Sequence, residues 1–160
     1  MNKNRLLESA IVKGWQRVFN LPSQLRKGLT VLNVFPVPDS DMPVIITKVD
    51  PNAVEDMLMR EWQYDLVEVD VANITGLDGN PLALESKPLM VVARPERAIA
   101  TTDPILSYVQ TCIKGCAEVS PELVDAFIHT TFLSDKQTTL AEWLHTIDLV
   151  DYFSKHDSSY

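Results

Sequence analysis

The sequence predicts an α+β domain, most simply a small mixed β-barrel with helices packed against one side of it. Most of the chain up to residue 93 consists of runs in which apolar side chains recur at every second position, which is the pattern of β-strands. From residue 94 onward the apolar positions recur every three to four residues, which is typical of amphipathic helices. Strands first and helices last along a chain indicate an α+β architecture.

Three strands are predicted before residue 50. The first covers residues 9–19 and has apolar side chains on both faces, as in a strand inside a closed or covered sheet. The second covers residues 29–37 and ends in a turn at 36–41, which is rich in proline, aspartate and serine. Because proline is tolerated at the start of a strand, a third strand is predicted over residues 44–49.

A helix and a hairpin follow these strands. Asp50 as the N-cap, with a proline directly after it, predicts a helix over residues 51–60. The fourth strand is predicted to be long, residues 63–74, because valines alternate there with acidic residues. The sequence DGNP at 78–81 is a strong hairpin signal, and the return strand is expected within residues 82–93.

Three helices are predicted after residue 100, each from the residues of its first turn. Residues 103–104 (Asp-Pro) open the first, residues 120–122 (Ser-Pro-Glu) open the second, and residues 139–142 have the spacing of a capping box. Residues 154–160 are polar and are interpreted as a tail. Residues 1–153 are therefore predicted to form a single domain.

Charge argues against one class of partner. The chain has 22 acidic and 14 basic residues, and its net charge of -8 repels a phosphate backbone. The largest basic group is interpreted as a solvated face and consists of Lys13, Arg17, Arg26 and Lys27. Nucleic acid is thus not an expected partner. Since no apolar run approaches the ~18 residues of a membrane span and no secretion signal is seen, we expect no membrane association and a cytoplasmic location.

The standard motifs of catalysis are absent from the sequence. It contains no G-x-S-x-G nucleophile turn, no glycine-rich phosphate loop and no histidine-rich metal pattern. Cys112 and Cys116 are four residues apart in a helical pattern and, with His129, raise the alternative of a zinc site. Two buried small apolar residues are the preferred interpretation, and His129, His145 and His156 are taken as surface or packing residues. An enzyme with this sequence would use carboxylate acid–base chemistry, without metal or cofactor.

One carboxylate occupies a notable position. Glu61 follows the predicted helix and precedes the fourth strand, so its side chain could point into a cavity and carry a proton. It could equally be a solvated turn residue. The residue pattern alone leaves both interpretations open.

Several segments match a known family in their order and spacing. They are GWQRVFN at 14–20, NVFPVPDS at 33–40, Arg60-Glu61 with Tyr64 three residues after Glu61, and a later group of Pro104, Tyr108, Cys112 and Gly115-Cys116. Together they resemble the gamma-glutamylcyclotransferase family over about residues 9–127, with further likeness to bacterial members at 130–133 and 140–144. The resemblance implies a small mixed β-barrel with flanking helices, which agrees with the fold predicted from periodicity.

The resemblance also implies an intramolecular acyl transfer without a cofactor. The α-amino group of a small gamma-glutamyl substrate attacks its own γ-carbonyl, giving 5-oxoproline and releasing an amine, an amino acid or a dipeptide. Glu61 matches the family's catalytic glutamate, which would take a proton from the α-ammonium group and give one to the departing nitrogen. Tyr64 and Tyr108 are implied as substrate-binding residues, and a plain core role for Tyr108 stays open.

The chain departs from the family pattern at its start. The family's first strand and its Tyr-Gly-Ser-Asn or Tyr-Gly-Ser-Leu loop, which holds the glutamyl end, have no counterpart before Ser9. Three explanations stay open: the true start lies upstream, the chain was cut, or the loop has been lost. An uncovered strand edge would follow and invite pairing with another chain, which leaves a homodimer open. Two functions from different classes are therefore predicted. One is a gamma-glutamyl cyclotransferase that uses Glu61, and the other is a non-catalytic binding or interaction module.

Overall fold

The computed structural model describes residues 7–60 and 64–156, and its largest feature is a long antiparallel hairpin. Strand β1 (Leu7–Pro22) pairs along its length with β2 (Thr30–Thr47). The first predicted strand is therefore confirmed and extends further at both ends. The second and third predicted strands are one continuous strand.

The predicted turn at residues 36–41 is wrong, because this segment is a wide bulge within β2. Trp15 pairs with Pro36 and Lys13 pairs with Asp41, so residues 37–40 lie opposite Gly14. A φ of 87° at Gly14 and of 65° at Asp39 allows the backbone to bend at this point without ending the hairpin.

The remaining elements are short strands and helices. In chain order they are α1 (Pro51–Arg60), β3 (Tyr64–Glu68), β4 (Ile74–Thr75), β5 (Leu89–Ala93), α2 (Leu106–Val119), α3 (Pro121–Thr130), β6 (Thr131–Leu133), α4 (Leu140–Thr146) and α5 (Leu149–Lys155). The second edge of β1 pairs with β4 near one end and, in parallel, with β6 near the other. Strands β3 and β5 form a separate two-stranded sheet.

The α+β class is confirmed, but the strands of the described residues form two sheets and not a closed barrel. The fourth predicted strand, residues 63–74, is interrupted after Glu68. Asp70 there accepts a hydrogen bond from the backbone N–H of Ala72 (3.0 Å) and caps a short 3-10 helix, Val71–Asn73. This local hydrogen bond competes with strand pairing, so the predicted strand is interrupted before it reaches β1. The tight turn at residues 78–81 is present, closed by a bridge between Thr75 and Pro81.

The predicted helix starts are confirmed where a side chain caps them. Asp50, Ser120 and Thr139 each accept a hydrogen bond from a backbone N–H in the first turn of α1, α3 and α4. Helix α5 was not predicted and continues to Lys155, into the segment interpreted as a tail. The buried Tyr152 of α5 explains its position. Its hydroxyl donates to the carbonyl of Pro104 and accepts from the N–H of Leu106, both at 2.9 Å.

The hydrophobic core lies on both faces of β1, as the apolar character of both faces predicts. One cluster fills the space between β1 and the helices and includes Phe19, Val109, Leu123 and Phe127. A smaller cluster on the opposite face includes Val12, Met42 and Ile74. Within the described part of the chain, no helix has the length and apolar character needed to cross a membrane.

Candidate functional site

Glu61, the predicted acid–base residue, lies outside the described residues. The described elements on either side of it in the sequence are α1, which ends at Arg60, and β3, which begins at Tyr64. The first described residue after Glu61 is Tyr64, which begins β3.

Tyr64 and Tyr108 come from distant parts of the chain and lie near each other. Tyr64 opens β3, where it pairs with Ala93, and Tyr108 lies in the first turn of α2. Both side chains are half-buried. The two phenols are close enough that a negative charge on Tyr64 would raise the pKa of Tyr108. Phe19 fixes the Tyr108 ring in an edge-to-face contact, with the ring centroids 6.2 Å apart.

The Tyr108 phenol is kept neutral by its surroundings. Burial is the main cause that raises the pKa of Tyr108 to about 12, and the neighbouring Cys112 adds to it. Burial likewise raises the pKa of Cys112 to about 11, partly offset by the nearby charge of Arg17. Both groups therefore carry their protons at neutral pH. Tyr108 can donate a hydrogen bond there but cannot act as a base.

Arg17 is half-buried, its Nη1 atom is fully buried, and its assignment to a solvated basic face is wrong. Its side chain passes under the helices, with Cζ 5.1 Å from the centre of the Phe127 ring, and Nη2 donates to the carbonyl of Pro43 at 2.7 Å. Burial lowers the pKa of the guanidinium, and Cys116, Cys112 and Tyr108 oppose this shift. Nη1 of Arg17 is buried and has no hydrogen-bond partner.

The sequence contains a signal for the burial of Arg17 that charge counting overlooks. Arg17 has the same parity along β1 as Phe19, an apolar residue of the predicted strand that belongs to the cluster between β1 and the helices. Side chains of one parity share a face of the sheet. The alternation thus places Arg17 toward the helices.

A second arginine borders the tyrosines. Cζ of Arg97 lies 5.6 Å from the centre of the Tyr64 ring, a distance at which a cation interacts favourably with an aromatic face. Its Nη1 is also buried without a hydrogen-bond partner. The candidate site therefore has two tyrosines and two guanidinium groups, and neither arginine was singled out from the sequence as a site residue.

Two buried asparagines hold this region together. Nδ2 of Asn33 donates to Oδ1 of Asn20 at 3.3 Å, and Oδ1 of Asn33 accepts from the backbone N–H of Ala93 at 3.3 Å. The second bond joins β5 to β2, two strands that are not paired through their backbones in the described part of the chain. Because Ala93 pairs with Tyr64, Asn33 positions the start of β3.

The histidines and cysteines do not assemble into a metal centre within residues 7–60 and 64–156, where no group of three or more potential metal ligands occurs. Cys116 is buried and Cys112 is half-buried. His129 is exposed and lies 3.4 Å from Asp125 one turn earlier, and Nε2 of His156 lies 3.3 Å from Asp103. These side chains serve as surface and packing residues.

Comparison with known proteins gives the fold but no family. No protein-family model matches the chain, and no curated protein sequence matches it either. A solved structure, the ensemble-refined crystal structure of the uncharacterized protein loc79017 from Homo sapiens, is similar over 78% of this chain and 73% of that one. The sequence identity is 14% and the TM-score 0.56. This chain therefore shares its small α+β fold with that human protein.

Proposed function

We propose that this protein is a gamma-glutamyl cyclotransferase, which converts a gamma-glutamyl compound to 5-oxoproline and a free amine or amino acid. The observation that carries the proposal is the proximity of Tyr64 and Tyr108. They were named as substrate-binding residues from a sequence resemblance, and although they belong to two different elements they lie within electrostatic range of each other. Glu61 is three residues before Tyr64 in the chain. The resemblance supplies the chemistry, and the neighbouring tyrosines support a ligand site beside Glu61.

The proposed reaction needs one proton carrier and no external nucleophile. Glu61 takes a proton from the substrate's α-ammonium group, and the freed amine attacks the γ-carbonyl carbon, forming the lactam C–N bond. The γ-amide C–N bond then breaks as Glu61 gives this proton to the departing nitrogen, and Glu61 carries the second proton of the attacking nitrogen to the released amine. Because the amine and the carbonyl belong to one molecule, holding the substrate folded supplies much of the acceleration.

The described residues contribute binding and hydrogen-bond donation to this scheme. The neutral Tyr108 hydroxyl is suited to donate to the γ-carbonyl oxygen as negative charge develops on it. Tyr64 lines the same region, and Arg97 lies over its ring. The guanidinium groups of Arg17 and Arg97 make the region positive, which suits a substrate that carries a carboxylate.

The direct test is to incubate the purified protein with glutathione, several gamma-glutamyl amino acids and a gamma-glutamyl amine. Release of 5-oxoproline is measured by mass spectrometry. We expect release from at least one substrate and a loss of at least about 100-fold in Glu61→Gln, because acid–base catalysis contributes about 10²- to 10⁴-fold.

The matched control is Glu55→Gln, which removes an exposed carboxylate from α1 and should leave the rate unchanged. If no substrate yields 5-oxoproline, or if Glu61→Gln turns over as fast as Glu55→Gln, the proposed reaction is wrong. Ligand binding that persists in such a protein would instead support the non-catalytic binding module.

A further inference from the structure

Among the described residues the guanidinium of Arg17 has no counter-ion, and its Nη1 atom is buried. One amino group is satisfied by the carbonyl of Pro43, whereas Nη1 has no hydrogen-bond partner. Within residues 7–60 and 64–156, no carboxylate lies at ion-pair distance from Arg17. Burying a cation is costly unless an opposite charge or hydrogen bonds compensate it. Since arginine keeps its proton at neutral pH, the unliganded fold bears this cost.

A second buried polar atom, Oγ1 of Thr131, belongs to the strand beside that of Arg17. Thr131 is the register partner of Arg17 in the parallel pairing of β6 with β1. The two side chains therefore leave the sheet on the same face, from strands about 4.8 Å apart. Thr131 has no exposed surface, and its Oγ1 has no hydrogen-bond partner. Two donors on one face thus lack acceptors.

We propose that Arg17 Nη1 and Thr131 Oγ1 together bind a carboxylate, and that this group is the α-carboxylate of the gamma-glutamyl substrate. A carboxylate supplies the missing negative charge, and its two oxygens accept from the guanidinium N–H and from the hydroxyl. The Phe127 ring fixes the guanidinium on its opposite side. The identity of the carboxylate rests on the proposed function, whereas the receptor itself does not.

The receptor is connected to the candidate site through α2. Tyr108 and Cys112 of α2 are half-buried and interact electrostatically with Arg17, so in this proposal they border the bound substrate. A substrate whose α-carboxylate meets Arg17 extends its γ-carbonyl past Tyr108 toward Tyr64. This arrangement gives the glutamyl end a binding group within the described chain.

A pair of small molecules isolates the carboxylate. 5-Oxoproline and 2-pyrrolidinone share the lactam ring and differ only in the carboxylate. We expect 5-oxoproline to bind the wild-type protein saturably in isothermal titration calorimetry and 2-pyrrolidinone to bind at least about 10-fold more weakly, since a hydrogen bond to a charged group has this magnitude.

Three variants complete the experiment. Arg17→Met should weaken 5-oxoproline binding about 10- to 100-fold, and Thr131→Val about 3- to 10-fold. Thr131→Val replaces an unsatisfied buried hydroxyl with a methyl group of the same shape, so it should fold even if Arg17→Met does not. Lys13→Met is the matched control, because it removes an exposed positive charge from the same strand and should leave binding unchanged.

The outcomes separate this proposal from the proposed function. Binding that requires the carboxylate, Arg17 and Thr131, without turnover of gamma-glutamyl compounds, supports the receptor and refutes the reaction. Turnover whose KM is unchanged in Thr131→Val and in Arg17→Met refutes the receptor and leaves the reaction standing. Equal binding of 5-oxoproline and 2-pyrrolidinone, or no binding of either, also overturns the receptor.

Discussion

Asn33→Ala tests how the two sheets are joined and how the candidate site is held. The side chain of Asn33 is 6% exposed and makes two hydrogen bonds of 3.3 Å, to Oδ1 of Asn20 and from the N–H of Ala93. Each bond contributes about 1 kcal/mol, and the buried groups left without a partner add a desolvation penalty of about 1–3 kcal/mol. The free energy of unfolding should therefore fall by about 3–5 kcal/mol, a decrease in Tm of roughly 6–20 °C for a chain of this size.

The assay is thermal and urea unfolding of Asn33→Ala beside a matched control. Asn73→Ala changes an exposed asparagine in the short helix after β3, and its free energy of unfolding should stay within about 0.5 kcal/mol of the wild-type value. Because Asn33 positions Ala93 and thereby Tyr64, kcat/KM for the cyclisation should also fall in Asn33→Ala. Equal Tm values for the two variants would refute the idea that the asparagine pair joins the sheets.

Three further predictions concern other parts of the molecule. Tyr152→Phe removes the hydroxyl that links α5 to Pro104 and Leu106. The free energy of unfolding, measured by calorimetry, should therefore fall by about 2 kcal/mol and Tm by roughly 4–8 °C. An unchanged Tm would contradict a stabilising role of this hydroxyl. Burial raises the pKa of Cys112 to about 11. At pH 7.5, iodoacetamide should therefore alkylate Cys112 far more slowly in the folded protein than in the unfolded protein. Fast alkylation of the folded protein would contradict this prediction. Hydrogen bonds from Thr138 and Gln137 lower the pKa of Asp135, so its stabilising effect is present above the ordinary aspartate pKa and is lost as the pH falls through the lower folded value. The difference in free energy of unfolding between wild type and Asp135→Asn should therefore shrink below pH ~4. A difference that stays constant with pH would contradict this prediction.

Local chemistry predicts the helices of this chain well. Asp50, Ser120 and Thr139 each cap the helix whose start they mark in the sequence, because a cap needs only its own side chain and the next few N–H groups. Helix α5 was missed although Asp148 caps it in the same way. It is one of the shortest helices, and its position depends on the distant contact of Tyr152 with Pro104.

The strands were predicted less accurately because their pairing is not local. Residues 36–41 contain typical turn residues, yet β2 continues through them since β1 bends with it at Gly14. Strand β6 has three residues and exists only through parallel pairing with β1. No short window of sequence carries either feature.

Parts of the candidate site escaped prediction for the same reason. The resemblance named Tyr64 and Tyr108, and they lie close to each other. Arg17 was hidden by its charge, since a lysine or arginine is rarely buried without a partner. Only the position of Thr131 on the neighbouring strand makes Arg17 a candidate ligand group.

The central claim is that a gamma-glutamyl compound cyclises upon itself in this protein. Its most direct test is turnover in ¹⁸O-labelled water of a substrate whose α-amino group carries ¹⁵N. Direct attack predicts 5-oxoproline that retains ¹⁵N and contains no ¹⁸O, with the released amine unlabelled. Glutamate as the first product, or ¹⁸O in the 5-oxoproline, would show that water attacks the γ-carbonyl and would contradict the account.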